Sequence, residues 1–583
     1  MRKPTLVLVG LCSLLFATVA SPDLSSRDVA VPATGVSSDF DKLVDRYFDA
    51  EFKFHPSDGT AAGFHQYDNR LEEFSESAVN SEVASLRDRK ARLEAFPADG
   101  LPEEAAADRT LLLNAAAARL LELENVQMWR KDPDFYTSSV SESIFLLIRR
   151  NFAPQPERLR SVVAREREIP VALDAARKNL TNPPRVFTEV ALEDLPDTVE
   201  FFRKDVPAAF PDVKDAALLS DFNSANRAAV NALREYEAYL KKHLLPASHG
   251  DFRLGAENFS KKLHYEEMVD TPLDRLLEVG FADLHHNQDW LKKVAAQIDP
   301  GRSPREVLAD LQKDHPAPDQ LLQAFRDVLG GLRQFIEQKQ IITIPSEIPP
   351  IVEETPPFER ALTTASMDTP GAYENRATEA MFNVTTPNSS WSRQKIEQWM
   401  GSFNRGTIIS TAIHEVYPGH YVQFLWLKQA PSKTRKLLFC NSNAEGWAHY
   451  TEQMMLDEGY GNGDPKLRLG QLQDALLRDA RFVVGIEMHT GKMTLDQATK
   501  FFIEEGFQPP PTAEVEAKRG TSDPTYLYYT LGKLQILKLR GDYRQQMNAR
   551  FNLRDFHDEF MRQGSVPMKV IRKAMLGREG SEL

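Results

Sequence analysis

The chain has 583 residues, of which 42% are hydrophobic and 27% are charged. This is the composition of a globular protein, and the length allows either one large body or two lobes. The formal net charge is −13 and no long run of basic residues is present, so we expect no nucleic-acid partner.

Residues 1–20 have the pattern of a secretory signal peptide. Arg2 and Lys3 precede an apolar run over residues 6–17, and small residues follow that run. The run is too short to span a bilayer as a stable anchor, and a buried N-terminal helix is the alternative. Cys12 lacks the preceding small residue of a lipoprotein signal, which disfavours lipidation. We therefore expect a secreted or periplasmic protein without stable membrane insertion.

A disordered tether is predicted over residues 21–37, because this stretch is rich in serine, proline and other small residues. Residues 38–583 are predicted to form a helical domain, as one body or as two lobes around a central cleft. Apolar residues recur there at spacings of three and four, so the fold class is mostly α. The predicted helices are Phe40–Phe54, Ser81–Ala95, Arg109–Leu123, Pro156–Asn179, Ala216–Lys242, Pro272–Ile298, Pro304–His315, Pro318–Gln340 and Leu472–Met488.

Two segments break the helical pattern and predict a short β element. Ile341–Val352 and Ala377–Thr386 contain β-branched residues, and prolines interrupt the first segment. An exposed strand edge can bind an extended peptide, and Phe382–Val384 is the candidate for such an edge. A small structural hairpin is the alternative.

The segment Ile408–Gln423 contains the pattern His-Glu-Val-Tyr-Pro-Gly-His. In zincins the sequence His-Glu-x-x-His places two zinc-binding histidines one helical turn apart, and the glutamate between them acts as a general base. Here His420 follows His414 by six residues, and regular helix geometry would turn it away. Because Pro418 and Gly419 interrupt regular helix, we predict a two-residue bulge that returns His420 to the face of His414. The alternative is a helix that ends at Pro418, with both histidines in ordinary hydrogen bonds.

A third candidate ligand lies in the next helical segment, Ala444–Glu452. This segment contains Glu445, and two histidines with one glutamate are a recurring ligand set of catalytic zinc. An exposed helical glutamate is the alternative. Glu452 lies on the same helical face as Glu445, where it can orient a ligand through a hydrogen bond. We interpret the neighbouring His449 as incidental.

Cys440 is the one cysteine outside the predicted signal peptide, so no intramolecular disulfide is expected. A lone cysteine is typically a small buried hydrophobic residue, and we interpret Cys440 in that way. Its position shortly before Glu445 leaves a remote role at the metal site open.

Taken together, the patterns His-Glu-x-Tyr-Pro-Gly-His and Glu-Gly-Trp-Ala-x-Tyr closely resemble the large bacterial domain-of-unknown-function family numbered 885, which is similar to gluzincin metallopeptidases. The resemblance extends from about Phe40 to the C-terminal region. It implies a large helical body with a short β element beside a zincin-like pair of helices. It also implies that His414, His420 and Glu445 bind Zn²⁺ and that Glu415 handles the proton.

Two further residues match the family pattern. Tyr529 matches a recurring tyrosine three residues before a glycine, and its phenol would donate a hydrogen bond to an oxyanion. A core aromatic residue is the alternative. His489 matches the histidine of an Asp-x-Gly-x-His pattern whose other two residues differ here, so it either hydrogen-bonds the tetrahedral intermediate or has a structural role. Arg540 is expected to pair with an acidic helix neighbour rather than with a substrate carboxylate.

The expected function is that of a secreted or periplasmic metallopeptidase that hydrolyses short peptides. Zn²⁺ is the expected cofactor, and Glu415 is the expected general base for metal-activated water. One alternative is a zinc hydrolase of a non-peptide amide or ester. Another is a non-catalytic protein that binds peptides or metal, against which the intact Glu415 argues.

Overall fold

The structure, a computed structural model, describes residues 35–356, 360 and 363–583. The predicted signal peptide and residues 21–34 of the predicted tether lie outside the described residues. The first helix begins at Gly35, so the last residues assigned to the tether are helical. Of the described residues 72% are helical, which confirms the mostly α fold.

Fourteen helices precede the strands in the described part of the chain. They are Gly35–Phe54 (α1), Pro56–Ala62 (α2), Glu76–Ala95 (α3), Glu103–Leu121 (α4), Met128–Lys131 (α5), Asp134–Arg149 (α6), Gln155–Asn179 (α7), Arg185–Glu200 (α8), Val206–Ala208 (α9), Ala216–Tyr239 (α10), Gly255–Glu267 (α11), Leu273–Ile298 (α12), Pro304–Leu311 (α13) and Leu321–Lys339 (α14).

Eleven helices follow the strands. They are Arg393–Met400 (α15), Arg405–Glu415 (α16), His420–Leu427 (α17), Lys433–Leu437 (α18), Asn441–Asp457 (α19), Pro465–His489 (α20), Leu495–Glu504 (α21), Pro510–Ser522 (α22), Tyr528–Met547 (α23), Leu553–Arg562 (α24) and Met568–Leu576 (α25). Across the described residues, no helix combines the length and the apolar character that crossing a membrane requires.

All of the predicted helices are present, and side-chain caps fix the starts of α3 and α13. Helix α3 starts at Glu76 rather than at Ser81, because the Ser75 hydroxyl accepts a hydrogen bond from the N–H of Ala78. Helix α13 starts as predicted, where Ser303 and its partner glutamate form a capping box. These caps satisfy N–H groups that have no partner within the helix.

The β element is a three-stranded sheet formed by Ile351–Glu354 (β1), Ala365–Asp368 (β2) and Met381–Val384 (β3). The strand order is β1-β3-β2, with β1 parallel and β2 antiparallel to β3. The prediction that Phe382–Val384 forms an exposed edge is therefore wrong, because these residues belong to the central strand. Phe382 pairs with a residue of β1 on one side and with a residue of β2 on the other.

The apolar core beneath the candidate site combines α14, α16, α17, α19 and α23–α25 with the sheet. A separate core is formed mainly by α6, α7, α8 and α10. Helices α19 and α23 cross very closely, since a Cβ atom at Gly446 would lie 2.4 Å from the Cα atom of Gly532. Only glycine allows this approach, which brings Tyr529, at the start of α23, towards the candidate ligand on α19.

Candidate metal centre

His414 and His420 lie on either side of a break between two helices. Asn404 caps the start of α16 by accepting hydrogen bonds from the N–H groups of Gly406 and Thr407, and α16 ends at Glu415. The predicted two-residue bulge is wrong, because the chain leaves the helix after Glu415 and a new helix, α17, begins at His420. The two imidazole rings nevertheless meet, with their centroids 4.8 Å apart.

Gly419 makes this break possible. Its N–H donates a hydrogen bond to the carbonyl oxygen of Ile413 at 2.9 Å. A Cβ atom at position 419 would lie 1.7 Å from the carbonyl oxygen of His414, so a side chain there would collide with the end of α16. The glycine thus lets the chain fold back tightly enough to return His420 to His414.

Glu445, in the first turns of α19, completes the group. Its Oε2 atom lies 3.4 Å from the Nε2 atom of His414 and 3.4 Å from the Nε2 atom of His420. Tetrahedral ligands at about 2.0–2.2 Å from a zinc ion lie about 3.3–3.6 Å from one another. The donor atoms of the three residues all lie within 4.8 Å of one another. Their spacing therefore fits a shared metal ion.

The hydrogen bonding of these atoms also fits a cation. The Oε2 atom of Glu445 is buried without a hydrogen-bond partner in the described structure. A buried carboxylate oxygen without a partner is costly, and a bound cation would remove that cost. Both histidines are buried as well, so the group is shielded on the protein side.

Glu452 orients His414 from behind, as predicted from the helical spacing. The Nδ1 atom of His414 lies 2.7 Å from Oε1 of Glu452, and this contact holds the ring with Nε2 on the side of Glu445. Burial acts to raise the pKa of Glu452, but Arg478, His449 and His414 outweigh it and hold the pKa well below its usual range. Glu452 is thus an ionised, fully buried acceptor.

Two of the residues that hold Glu452 were not anticipated from the sequence. Arg478 lies 3.0 Å from Glu452, and the Nδ1 atom of His449 lies 3.2 Å from its other oxygen. The interpretation of His449 as incidental is therefore wrong. The available signal was that α20 carries several arginines among its buried apolar residues, and Arg478 is one of them.

Glu415 lies directly beside the candidate ligands. Burial raises the pKa of its carboxyl, the two histidines oppose that shift, and the pKa remains above its ordinary value. The role of Glu415 as a general base stays a prediction.

Tyr529 faces the same group. Its ring centroid lies 6.3 Å from that of His414, and its hydroxyl accepts a hydrogen bond from Nη2 of Arg519 at 3.3 Å. Burial, and then the charge of Glu445, raise the pKa of Tyr529, so the phenol keeps its proton. A protonated phenol in this place is able to donate a hydrogen bond to a reacting oxygen.

His489 does not join the site. Its Nε2 atom donates to the carbonyl oxygen of Gly520 at 2.8 Å, and its Nδ1 atom accepts the N–H of Leu254 at 3.3 Å. Burial lowers its pKa to about 4. Both ring nitrogens are thus committed to backbone groups, so the catalytic role considered for His489 is replaced by a structural one.

Two other side chains are engaged elsewhere. Arg540 pairs with Glu458 at 3.2 Å and donates to the hydroxyl of Tyr450, so it has an acidic partner as expected, but this partner follows the end of α19 and does not lie on the helix of Arg540. The Sγ atom of Cys440 donates to Glu267 at 2.9 Å. Cys440 is not part of the converging donor group.

The model of a family described as "Bacterial protein of unknown function (DUF885)" matches residues 56–575. The chain belongs to this family. The match confirms the membership in this family that the two motifs indicated, and it covers nearly the whole of the helical domain. The similarity to gluzincin metallopeptidases stays a prediction. No curated protein matches the DUF885 chain significantly.

Two solved structures are similar to this DUF885 chain. One is titled a "putative lipoprotein of unknown function" from Shewanella oneidensis, with 27% sequence identity and a TM-score of 0.76, over 92% of this chain and 99% of that chain. The other is titled a "putative lipoprotein" from Colwellia psychrerythraea, with 16% identity and a TM-score of 0.76, over 93% of this chain and 99% of that chain. At 16% identity, the similarity to the second structure shows only that the two chains share a fold.

Proposed function

We propose that this protein is a zinc-dependent metallopeptidase that hydrolyses short peptides outside the cytoplasm. The observation that carries the proposal is the convergence of the donor atoms of His414, His420 and Glu445 within 4.8 Å of one another, with Glu445 3.4 Å from each imidazole. Glu415 lies next to them, and binding alone would not need such a base. Three protein ligands also leave a fourth position open, as in catalytic rather than structural zinc sites.

The residues around the group divide the chemistry among them. Bound zinc supplies Lewis acidity, which polarises a carbonyl group and makes water more acidic. Glu415 takes the proton from the attacking water and passes it to the departing amine. Tyr529 donates a hydrogen bond to the carbonyl oxygen as negative charge develops on it. Glu452 keeps the ring of His414 in the orientation that presents Nε2.

The sheet supports a peptide as the substrate. With β3 in the centre, β2 is an edge strand, and it packs against α16, the helix that carries His414. An extended peptide pairs readily with such an edge, because the strand offers backbone donors and acceptors. We propose β2 in place of Phe382–Val384 as the strand that receives the substrate.

Export is proposed on separate grounds. Residues 1–20 have the charge and apolar pattern of a signal peptide. Both similar structures carry the name lipoprotein in their titles, which fits an extracytoplasmic location for those proteins. The location of this chain follows from fractionating the native host and sequencing the mature N-terminus.

The decisive experiment combines metal analysis with a peptide-library digest of the wild type and of Glu415→Gln. We expect about one zinc per chain in both proteins and a loss of kcat of about 10²- to 10⁴-fold in the variant. Glu514→Gln is the matched control, because Glu514 is 65% exposed on α22 and lies outside the candidate site.

Other outcomes separate the alternative functions. If the wild type is inert on peptides but hydrolyses esters or non-peptide amides, the same residues act as proposed but on a different class of substrate. Wild type and Glu415→Gln with the same behaviour on every substrate would overturn the catalytic proposal and leave a binding protein.

A further inference from the structure

Three guanidinium groups surround the phenol of Tyr529. The Cζ atom of Arg478 lies 5.6 Å from the centroid of its ring, and that of Arg481 lies 4.9 Å away. Arg519, near the end of α22, reaches the hydroxyl itself through Nη2 at 3.3 Å. The three arginines come from two different helices, so tertiary packing concentrates their charge around this one side chain.

Two of the three arginines form ion pairs with buried carboxylates. Arg478 lies 3.0 Å from Glu452, and its side chain is 12% exposed. Arg481 forms a bidentate pair with Glu516 at 2.7 and 2.8 Å, and its side chain is 8% exposed. These two arginines therefore have structural partners and little surface for a ligand.

Arg519 differs from both, because one third of its side chain is exposed. Its hydrogen bonds within the described residues use Nε and Nη2, which contact Asp523 and Tyr529. Asp523 is itself fixed by the hydroxyl of Tyr528 at 2.9 Å. The guanidinium is thus held in one orientation with its Nη1 edge available.

Two thirds of the Arg519 side chain is covered, so the guanidinium presents only one edge. Lys262, another cationic group near Asp523, is bound to Glu266 at 2.5 Å. Arg519 is therefore better placed than Lys262 to bind an incoming anion.

We propose that Arg519 binds the C-terminal carboxylate of the substrate, so that the protein removes residues from the carboxyl end of short peptides. The proposal rests on the peptidase function and names its substrate class. When the last residue of a peptide is removed, the scissile carbonyl oxygen belongs to the penultimate residue and lies about 4–6 Å from the terminal carboxylate. Nη2 of Arg519 lies 3.3 Å from the Tyr529 hydroxyl, so the phenol and the free Nη1 edge of the same guanidinium are close enough to bind two acceptors of one substrate.

The charge of Arg519 makes it a specificity-determining residue. A guanidinium forms strong, planar hydrogen bonds with a carboxylate, and a C-terminal amide lacks the negative charge that strengthens them. In an endopeptidase the same guanidinium would act only on the developing oxyanion and would not distinguish a free C-terminus from an amide. The preference for a free C-terminal carboxylate is therefore the property that separates the two modes of cleavage.

The test compares two peptides that differ only at the C-terminus, one with a free carboxylate and one with an amide. We expect the wild type to cleave the last bond of the free acid with a kcat/KM about 10- to 100-fold higher than that of the amide. In Arg519→Gln this preference should shrink towards equality, mainly through KM for the free acid. Arg519→Lys, which keeps the charge but loses the planar fork, should fall between them.

Binding gives a readout that does not depend on turnover. Calorimetry with the Glu415→Gln protein should show tighter binding of the acid than of the amide, and the difference should vanish in the double variant with Arg519→Gln. Arg203→Gln is the matched control, since Arg203 forms an exposed ion pair on the surface. Equal metal content and thermal stability in all variants would show that the fold is kept.

Two results would overturn the inference. One is a wild type that cleaves and binds both peptides equally well, and the other is an Arg519→Gln variant that keeps the full preference for the acid. Either result leaves the peptidase proposal intact. Loss of all peptide cleavage in zinc-loaded wild type would instead count against the proposed function, while the binding comparison would still decide the role of Arg519.

Discussion

Glu452 and Glu166 are both fully buried glutamates, but they lie in different cores and behave in opposite ways. Glu452, behind the candidate metal centre, has Arg478, His449 and His414 as partners, and these hold its pKa well below the usual range. Glu166, in the helical core of α7 and α10, has one hydrogen-bond donor, Asn226. Burial therefore raises its pKa to about 8.

The opposite pKa shifts of these two glutamates separate the effect of burial alone from the effect of cationic hydrogen-bond partners. Without cationic partners, desolvation favours the neutral acid. With partners from several helices, the charge is retained in the interior, where it can direct a ligand. Glu452 therefore stays ionised among α16, α19 and α20, whereas Glu166 is buried between α7 and α10 as the neutral acid.

The largest expected effect is that of Glu452→Gln. Arg478 would lose the carboxylate that lies 3.0 Å from it and keep Asp474 as its acidic neighbour, and His414 would lose its ionised acceptor. We expect the free energy of unfolding of the metal-free protein to fall by about 3–5 kcal/mol. We also expect zinc affinity to fall by about 10- to 100-fold. Chemical denaturation and competitive metal titration measure the two effects.

Glu166→Gln is the matched control for that experiment, because it is the same substitution at an equally buried site. It should leave zinc affinity unchanged. A variant Glu452→Gln that is as stable as Glu166→Gln, with unaltered zinc affinity, would contradict the distinction between the two regions.

Glu166→Gln also has its own pH signature. Because the folded-state pKa of about 8 exceeds the ordinary value of 4.5, the stability contributed by Glu166 is complete below about pH 4.5 and is lost as the pH rises towards 8. The amide of the variant does not titrate. The free energy of unfolding of the variant should therefore rise relative to that of the wild type by about 1.4 kcal/mol per pH unit over this window. Unfolding curves at several pH values between 4.5 and 8.5 measure the difference. A constant difference would show that Glu166 does not titrate in this range.

The smallest expected effect is that of His449→Phe, which removes one of three partners of Glu452 and leaves Arg478 and His414 in place. We expect a loss of about 1 kcal/mol in stability and a decrease in zinc affinity of less than about tenfold. His557→Phe is the control, because His557 is equally buried and hydrogen-bonds to Tyr450 and Ile341 instead. If both variants lower zinc affinity equally, His449 has no specific role behind the metal centre.

The helical body and the three candidate ligands could be predicted from the sequence, because the signals for both are local. Apolar periodicity identified helices such as α7 and α12 to within a residue or two at each end. The ligand types and their spacing singled out His414, His420 and Glu445, and the structure brings their donor atoms together. The metal itself remains a prediction.

The tertiary structure decided the rest. His420 lies beside His414 only because the helix breaks before Gly419. The glycine is needed there because a side chain would collide with the carbonyl oxygen of His414. The central place of β3 depends on strands from two other segments. Tyr529 reaches the site through the close crossing of α19 and α23.

The sequence by itself determined which side chains could bind a metal and that the chain around them is helical, because residue type and periodicity act over a few neighbours. Only the folded chain decided which buried charges meet. Arg478, Arg519 and His449 gain their roles from partners on other helices or on a neighbouring turn, and His489 loses its expected role to backbone groups of two other segments. Burial makes such pairings strong, and burial is a property of the packed molecule rather than of any segment.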